Sequence, residues 1–270
     1  MSPFRSIGLL AAVAAAVLAV LFLRGFSRWV AYPGSRMPLP RLAALGAPAR
    51  LVSVPTAGGL VLQGAFYSAD PPGAPAVLYF HGNGESAAQN AELALDLARR
   101  GISTFLAEYR GYGGMPGRPD EKGLVEDAGA AYAALTSLGV QPGRVVVVGR
   151  SLGTGPAVDV ALATPPGLLV LVAPYTSFTD LGRGMVGPLA PLLVADRFDT
   201  LARIGGVSCP VVILHGTRDE VVPFRMGRRL AEEAARTGRA VRFVPLEGVG
   251  HFVHIEQPRT VADLVLEFLS

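Results

Sequence analysis

Six short, nearly uninterrupted apolar runs constrain this chain more than anything else in it: Ala76 to Phe80, Ile102 to Ala107, Val145 to Val148, Leu168 to Val172, Val211 to Leu214 and Val241 to Val244. A strand with one wet face alternates apolar and polar residues. Runs apolar at successive positions must be covered on both faces, as in a parallel sheet between two helical layers. Between the runs lie amphipathic segments, Ala87 to Arg99, Glu121 to Leu138, Leu152 to Ala163 and Phe224 to Thr237, with a closing one at Thr260 to Leu269. Their spacing predicts helices, and strand, helix, strand with right-handed crossovers gives a three-layer α/β sheet. Ahead of it, Arg50 to Tyr67 alternates around an Ala-Gly-Gly break, which predicts an antiparallel hairpin.

The chain of 270 residues, half of them hydrophobic, is long enough for one large core. The folded domain is expected over 49–270, with a cap-like insertion at about 175–206 where the alternation breaks. Its apolar, proline-interrupted part, Met185 to Val194, is read either as a cap lining an apolar pocket or as helices covering the sheet edge. Residues 31–48 are punctuated by Pro and Gly and predict a linker without a long helix.

Residues 1–30 hold the strongest hydropathy signal. Ile7 to Leu23 is uncharged and flanked by Arg5 and Arg24. At about 1.5 Å per residue it nearly matches a hydrocarbon core of about 30 Å, with Phe26, Trp29 and Tyr32 at interfacial depth, so a single membrane anchor is expected. A cleaved signal peptide is the competing reading, but its apolar region is typically about 7–15 residues and this run is longer. Arg24, Arg28, Arg36 and Arg41 outnumber Arg5 and place the folded domain on the cytoplasmic side. Arg5 with a terminal amine is itself a usable inside signal, so the opposite face stays open.

The formal charge of +3 does not point to nucleic acid. Six arginines and no acidic residue fall within the first fifty residues, leaving −3 for the remainder, so no basic stripe faces phosphates. The single Cys209 excludes an internal disulfide framework and a cysteine-based zinc site, and reads as a small buried apolar residue.

In a sheet of this kind ligands collect at the carboxyl ends of the strands. Four polar groups fall there: His81-Gly82-Asn83-Gly84, Ser151, Asp219 and His251. Ser151 lies between glycines in Gly149-Arg150-Ser151-Leu152-Gly153, directly after a valine run and before a helix. A serine hydroxyl needs a base to become a nucleophile. His251 in GVGHFVH is placed to supply it, with His254 as the alternative, and Asp219 can orient its second nitrogen. His81 and His215 have no helical or C-x-x-C partner at ligand spacing, and no GxGxxG opens a helix after the first strand, so no metal and no cofactor is expected.

The order Ser, Asp, His with G-x-S-x-G resembles the α/β-hydrolase superfamily over Arg50 to the end. The resemblance implies a serine hydrolase with catalytic Ser151, Asp219 and His251. It assigns the oxyanion hole to the backbone N–H groups of Asn83 and Leu152, and His215 to a structural turn. Ala107 to Gly123 is similar to a tyrosine- and glycine-rich segment of the family, with Met115 where serine is common; there Arg110 and Tyr112 either brace the loop or belong to a plain glycine-rich connection. Gly82, Tyr112, Arg150 and Met185 are expected at the substrate, although Arg150 equally fits pairing with a carboxylate. The implied substrate is a small-molecule or lipid ester, as in the anchored lysophospholipase and depalmitoylase branch. Two alternatives are a peptidase or amidase of related fold and a non-catalytic binding protein.

Overall fold

A computed structural model describes the backbone of residues 3–70, 73–253 and 259–269, with side chains from residue 15 onward. Eight strands form one sheet: β1 (Arg50–Pro55), β2 (Val61–Tyr67), β3 (Ala76–Phe80), β4 (Ser103–Ala107), β5 (Val145–Arg150), β6 (Leu168–Val172), β7 (Val211–Gly216) and β8 (Val241–Leu246). Their order is β1-β2-β4-β3-β5-β6-β7-β8. The β1–β2 hairpin and its junction with β4 are antiparallel, and every other pairing is parallel.

The helices are α1 (Pro3–Ala31), α2 (Ala91–Arg99), α3 (Glu121–Ser137), α4 (Thr154–Ala163), α5 (Phe178–Val186), α6 (Ala190–Leu193), α7 (Thr200–Ile204), α8 (Phe224–Ala235) and α9 (Thr260–Leu269). The valine run shows how the layers arise. Val145 and Val147 join one core with Leu124 of α3, Val158 of α4 and Leu230 of α8, while Val146 and Val148 join the other with Leu97 of α2 and Val265 of α9. Successive side chains of a strand point to opposite faces, so a continuous apolar run feeds both cores. Each buried valine contributes roughly 1.5–3 kcal/mol relative to exposure.

Two expectations change. Val241 to Val244 is an edge strand with a half-exposed surface, not a doubly covered one, because β8 pairs only with β7. The segment 31–48 is not a free linker. Its prolines do limit it to single 3-10 turns at Pro33–Arg36 and Leu42–Ala44, but Tyr32 and Leu42 are fully buried against the domain, and Ser86 Oγ donates to the Pro40 carbonyl at 2.7 Å.

The run Ile7 to Leu23 lies within α1, a helix of 29 residues. Among the described residues no helix is long and apolar enough to cross a membrane, so the expected transmembrane span finds no support there. The carboxyl end of α1 docks on the insertion: Arg28 Nη2 pairs with Asp196 Oδ1 at 3.0 Å, and Tyr32 donates to Asp196 Oδ2 at 2.9 Å.

Candidate active site

Strand order reverses between β3 and β5, and that reversal opens a crevice at their carboxyl ends. Phe80 stands beside Gly149 in the register, so the turn after β3 and the turn after β5 face each other across it.

Ser151 sits at the tip of the β5–α4 turn with φ of 47°, a left-handed conformation that costs a non-glycine residue on the order of 1–3 kcal/mol. Glycines on either side make the turn possible. A Cβ on Gly149 would stand 2.5 Å from the Gly153 carbonyl oxygen, and one on Gly153 would fall on the Phe80 carbonyl. The strain lifts Oγ above the sheet edge at the amino end of a helical segment, where partial positive charge collects.

His251 Nε2 lies 3.1 Å from Ser151 Oγ, and its Nδ1 lies 2.8 Å from Asp219 Oδ2. Asp219 Oδ1 accepts the backbone N–H groups of Val221 at 2.9 Å and Val222 at 2.7 Å. Burial alone would raise the Asp219 carboxyl, but hydrogen bonds from His215, His251 and Val222 outweigh it and hold the group well below the usual carboxylate range. Sequence reasoning gave His215 only a turn role. The structure sets its Nε2 2.9 Å from the Val222 carbonyl and 3.4 Å from Asp219 Oδ2. The signal was available as the i, i+4 spacing of His215 and Asp219. Glu220 is exposed, and His254, the alternative base, lies outside the described residues.

Opposite Ser151, the turn from His81 to Glu85 is held from several sides. The Gly82 N–H donates to Glu85 Oε1 at 2.5 Å, and the same oxygen pairs with Arg150. Arg150 therefore has the carboxylate partner that sequence left as one of two possibilities, and it also borders the cavity. Beneath the turn, His81 Nε2 lies 2.7 Å from Glu108 Oε1, with both side chains fully buried. Burial lowers the His81 pKa, but the adjacent Glu108 carboxylate overrides this and leaves it raised. Tyr112 is buried and donates to Asn83 Oδ1 at 2.5 Å. Arg110 clamps Asp127 at 2.6 Å, which ties this loop to α3.

A cavity of about 1270 Å³ opens above Ser151. Asn83, Arg150, Leu152 and Met185 border it; Gly82 and Tyr112 are not on its described wall. Tyr112 is instead spent inside the core beneath Asn83. The insertion supplies one apolar side through Phe178, Leu181 and Val194, and α1 supplies another through Leu23, Phe26 and Val30. The α2 side is more polar, with Gln89, Asn90 and Glu92. Among the described residues no group of three or more His, Cys, Asp or Glu is arranged to hold a metal ion. The arrangement can activate a hydroxyl and bind an apolar group beside it.

A family model described as Hydrolase_4, serine aminopeptidase S33, matches residues 72–194. The chain is 36% identical over 269 residues to Uncharacterized protein Rv2307c of Mycobacterium tuberculosis, covering 98% of this chain and 94% of that one. It is 34% identical over 189 residues to human alpha/beta hydrolase domain-containing protein 17B, covering 69% of this chain and 63% of that one. Among solved structures, the Pyrococcus furiosus esterase Pf2001 superposes with a TM-score of 0.70 at 18% identity, covering 86% of this chain and 95% of that one, a likeness of fold.

Proposed function

Because the chain belongs to the α/β-hydrolase superfamily, we propose that it is a membrane-tethered serine hydrolase that cleaves carboxylic esters of acyl groups through an acyl-enzyme on Ser151. One observation carries the reading: the unbroken chain Ser151 Oγ, His251, Asp219 at 3.1 and 2.8 Å, opening into a largely apolar cavity.

Ser151 Oγ attacks the ester carbonyl carbon as His251 Nε2 takes its proton. The oxygen that gains negative charge faces the backbone N–H groups of Asn83 and Leu152, each such donor being worth a few kcal/mol to the transition state. Collapse breaks the ester bond, and the leaving alkoxide takes the proton from His251. Water then gives a proton to His251 and attacks the acyl carbon, releasing the acid and restoring Ser151. Asp219 stays ionised throughout and stabilises the imidazolium.

An acyl substrate is supported by the apolar walls from α1 and the insertion. The name of Pf2001 as an esterase favours ester chemistry. Tethering is supported by the uncharged run Ile7 to Leu23 and by exposed Val17, Leu18, Leu21 and Phe22 on α1. The arginines flanking that run favour a cytoplasmic face. The description of the matched family model as serine aminopeptidase supports a second reading, amide cleavage by the same three residues.

The test is fluorophosphonate labelling of the full-length, detergent-solubilised protein and of Ser151→Ala, with the site located by peptide mass analysis. Labelling at Ser151 that vanishes in the variant is expected, and absence of labelling in folded wild type overturns the reading. Turnover of p-nitrophenyl esters over aminoacyl amides is expected; the reverse preference selects the amidase. Alkaline carbonate extraction should leave the protein in the membrane pellet, and release into the supernatant defeats the tether.

A further inference from the structure

Asn83 uses both ends of its side-chain amide. Its Nδ2 donates to the Ala31 carbonyl at 2.5 Å, while its Oδ1 accepts the Tyr112 hydroxyl at 2.5 Å. Ala31 is the last residue of α1, and a helix leaves its final carbonyls without intrahelical partners. Those carbonyls carry partial negative charge and favour a donor. Asn83 supplies one, across 52 residues of sequence.

The contact is reinforced just beyond the helix end. A Cβ on Gly34 would fall on the Asn83 backbone carbonyl and stand 2.5 Å from Tyr112 Cε1, so only glycine lets the strap lie this close to the turn. The helix is itself anchored to the insertion through Arg28, Tyr32 and Asp196. The Arg24 guanidinium also donates to the Ala195 carbonyl at 3.3 Å.

We propose that Asn83 is a positioning residue: its side chain, gripped between the carboxyl end of α1 and Tyr112, fixes the direction of its own backbone N–H toward the developing oxyanion. The helix is then a working part of the site as well as a tether. This rests on the serine-hydrolase reading. Loss of the grip leaves the turn closed by Glu85 and Arg150 but free to tilt, and small misplacements of a catalytic donor cost rate without costing substrate affinity.

The experiment measures hydrolysis of p-nitrophenyl butyrate by the full chain in detergent. Asn83→Ala and Gly34→Ala should each lower kcat by about 10-fold while KM stays within about 2-fold, as expected for an interaction made only in the transition state. The double variant should be little worse than the poorer single one, since both remove one coupled grip. Tyr112→Phe, which deletes a single hydroxyl, should lower kcat by about 3-fold with the fold retained by circular dichroism. The pH at which the rate turns should not move, because His251 is untouched. Unchanged kcat in folded variants overturns the proposal, and so does a double variant whose losses multiply. If wild type neither labels at Ser151 nor turns over ester, the hydrolase reading has failed and this inference falls with it; wild-type turnover with indifferent variants sinks the inference alone.

Discussion

Among the described residues, two buried histidine–carboxylate pairs at the carboxyl ends of the strands invite comparison; a third, His215 with Asp219 at 3.4 Å, shares the carboxylate of one of them. His251 lies 2.8 Å from Asp219 and His81 lies 2.7 Å from Glu108. Each carboxylate also accepts two backbone N–H groups, Asp219 from Val221 and Val222 and Glu108 from Ala87 and Tyr109. The difference is where the second ring nitrogen goes. In His251 it meets the Ser151 hydroxyl at 3.1 Å, whereas in His81 it is tied to the Gly82 carbonyl at 2.8 Å. An imidazole beside a carboxylate is thus not yet a base. It becomes one when its free nitrogen points at a transferable proton in a cavity, and otherwise it is a brace.

The largest effect should come from His251→Ala, which removes the proposed acceptor for the Ser151 proton. Ester kcat should fall by about four orders of magnitude or more, with a melting temperature close to wild type; a loss under tenfold would break the distinction between the pairs. Asp219→Asn should follow, with kcat down about 10³–10⁴-fold because the wrong tautomer of His251 is favoured.

Glu108→Gln should do the reverse. Breaking a buried pair costs about 3–5 kcal/mol of stability, read by thermal or denaturant melts, while kcat in the protein that remains folded should drop less than about 10-fold. Its pH dependence has a definite sign. Glu108 raises the His81 pKa against the effect of burial, so the folded state holds that proton more tightly than the unfolded chain. This contribution is complete below the unfolded histidine value of about 6.5 and disappears as pH rises through the higher folded value. The stability gap between wild type and Glu108→Gln should therefore narrow as pH rises above about 6.5; a constant gap would show that His81 does not take up a proton.

The smallest effects concern the walls. Wild-type ester hydrolysis should rise with pH as the proposed base gives up its proton, with no second inflection from Asp219, which is held well below the usual carboxylate range. A flat profile would argue against an imidazole base. Asp196→Ala frees the docked end of α1 and should raise KM for long-chain esters about 3-fold while sparing short ones, because the apolar wall loosens. Equal effects on both chain lengths would place α1 outside the acyl pocket.

Much of this was legible from residue order. The continuous runs announced strands covered on both faces, the Ala-Gly-Gly break announced a hairpin, and Gly149, Ser151 and Gly153 between a strand and a helix announced a tight turn. These are local signals, since they depend on spacing within one element or between neighbours. The exposure of β8 was hidden, because a strand's sequence does not say whether a ninth would follow it at the edge. The burial of Tyr112 was hidden too, since a polar aromatic in a glycine-rich loop suits a pocket wall as well as a core.

The sequence by itself determined the α/β layering, the order of Ser151, Asp219 and His251 and the tight turn at Ser151, because periodicity and glycine spacing act over a few residues. Only the tertiary structure decided which histidine meets Ser151, that Arg150 is paired with Glu85, and that the strap from Tyr32 to Leu42 packs against the domain. It also brought the end of α1 onto Asn83. Those outcomes depend on contacts between residues tens to hundreds of positions apart, where direction and distance are set by the packing of whole layers.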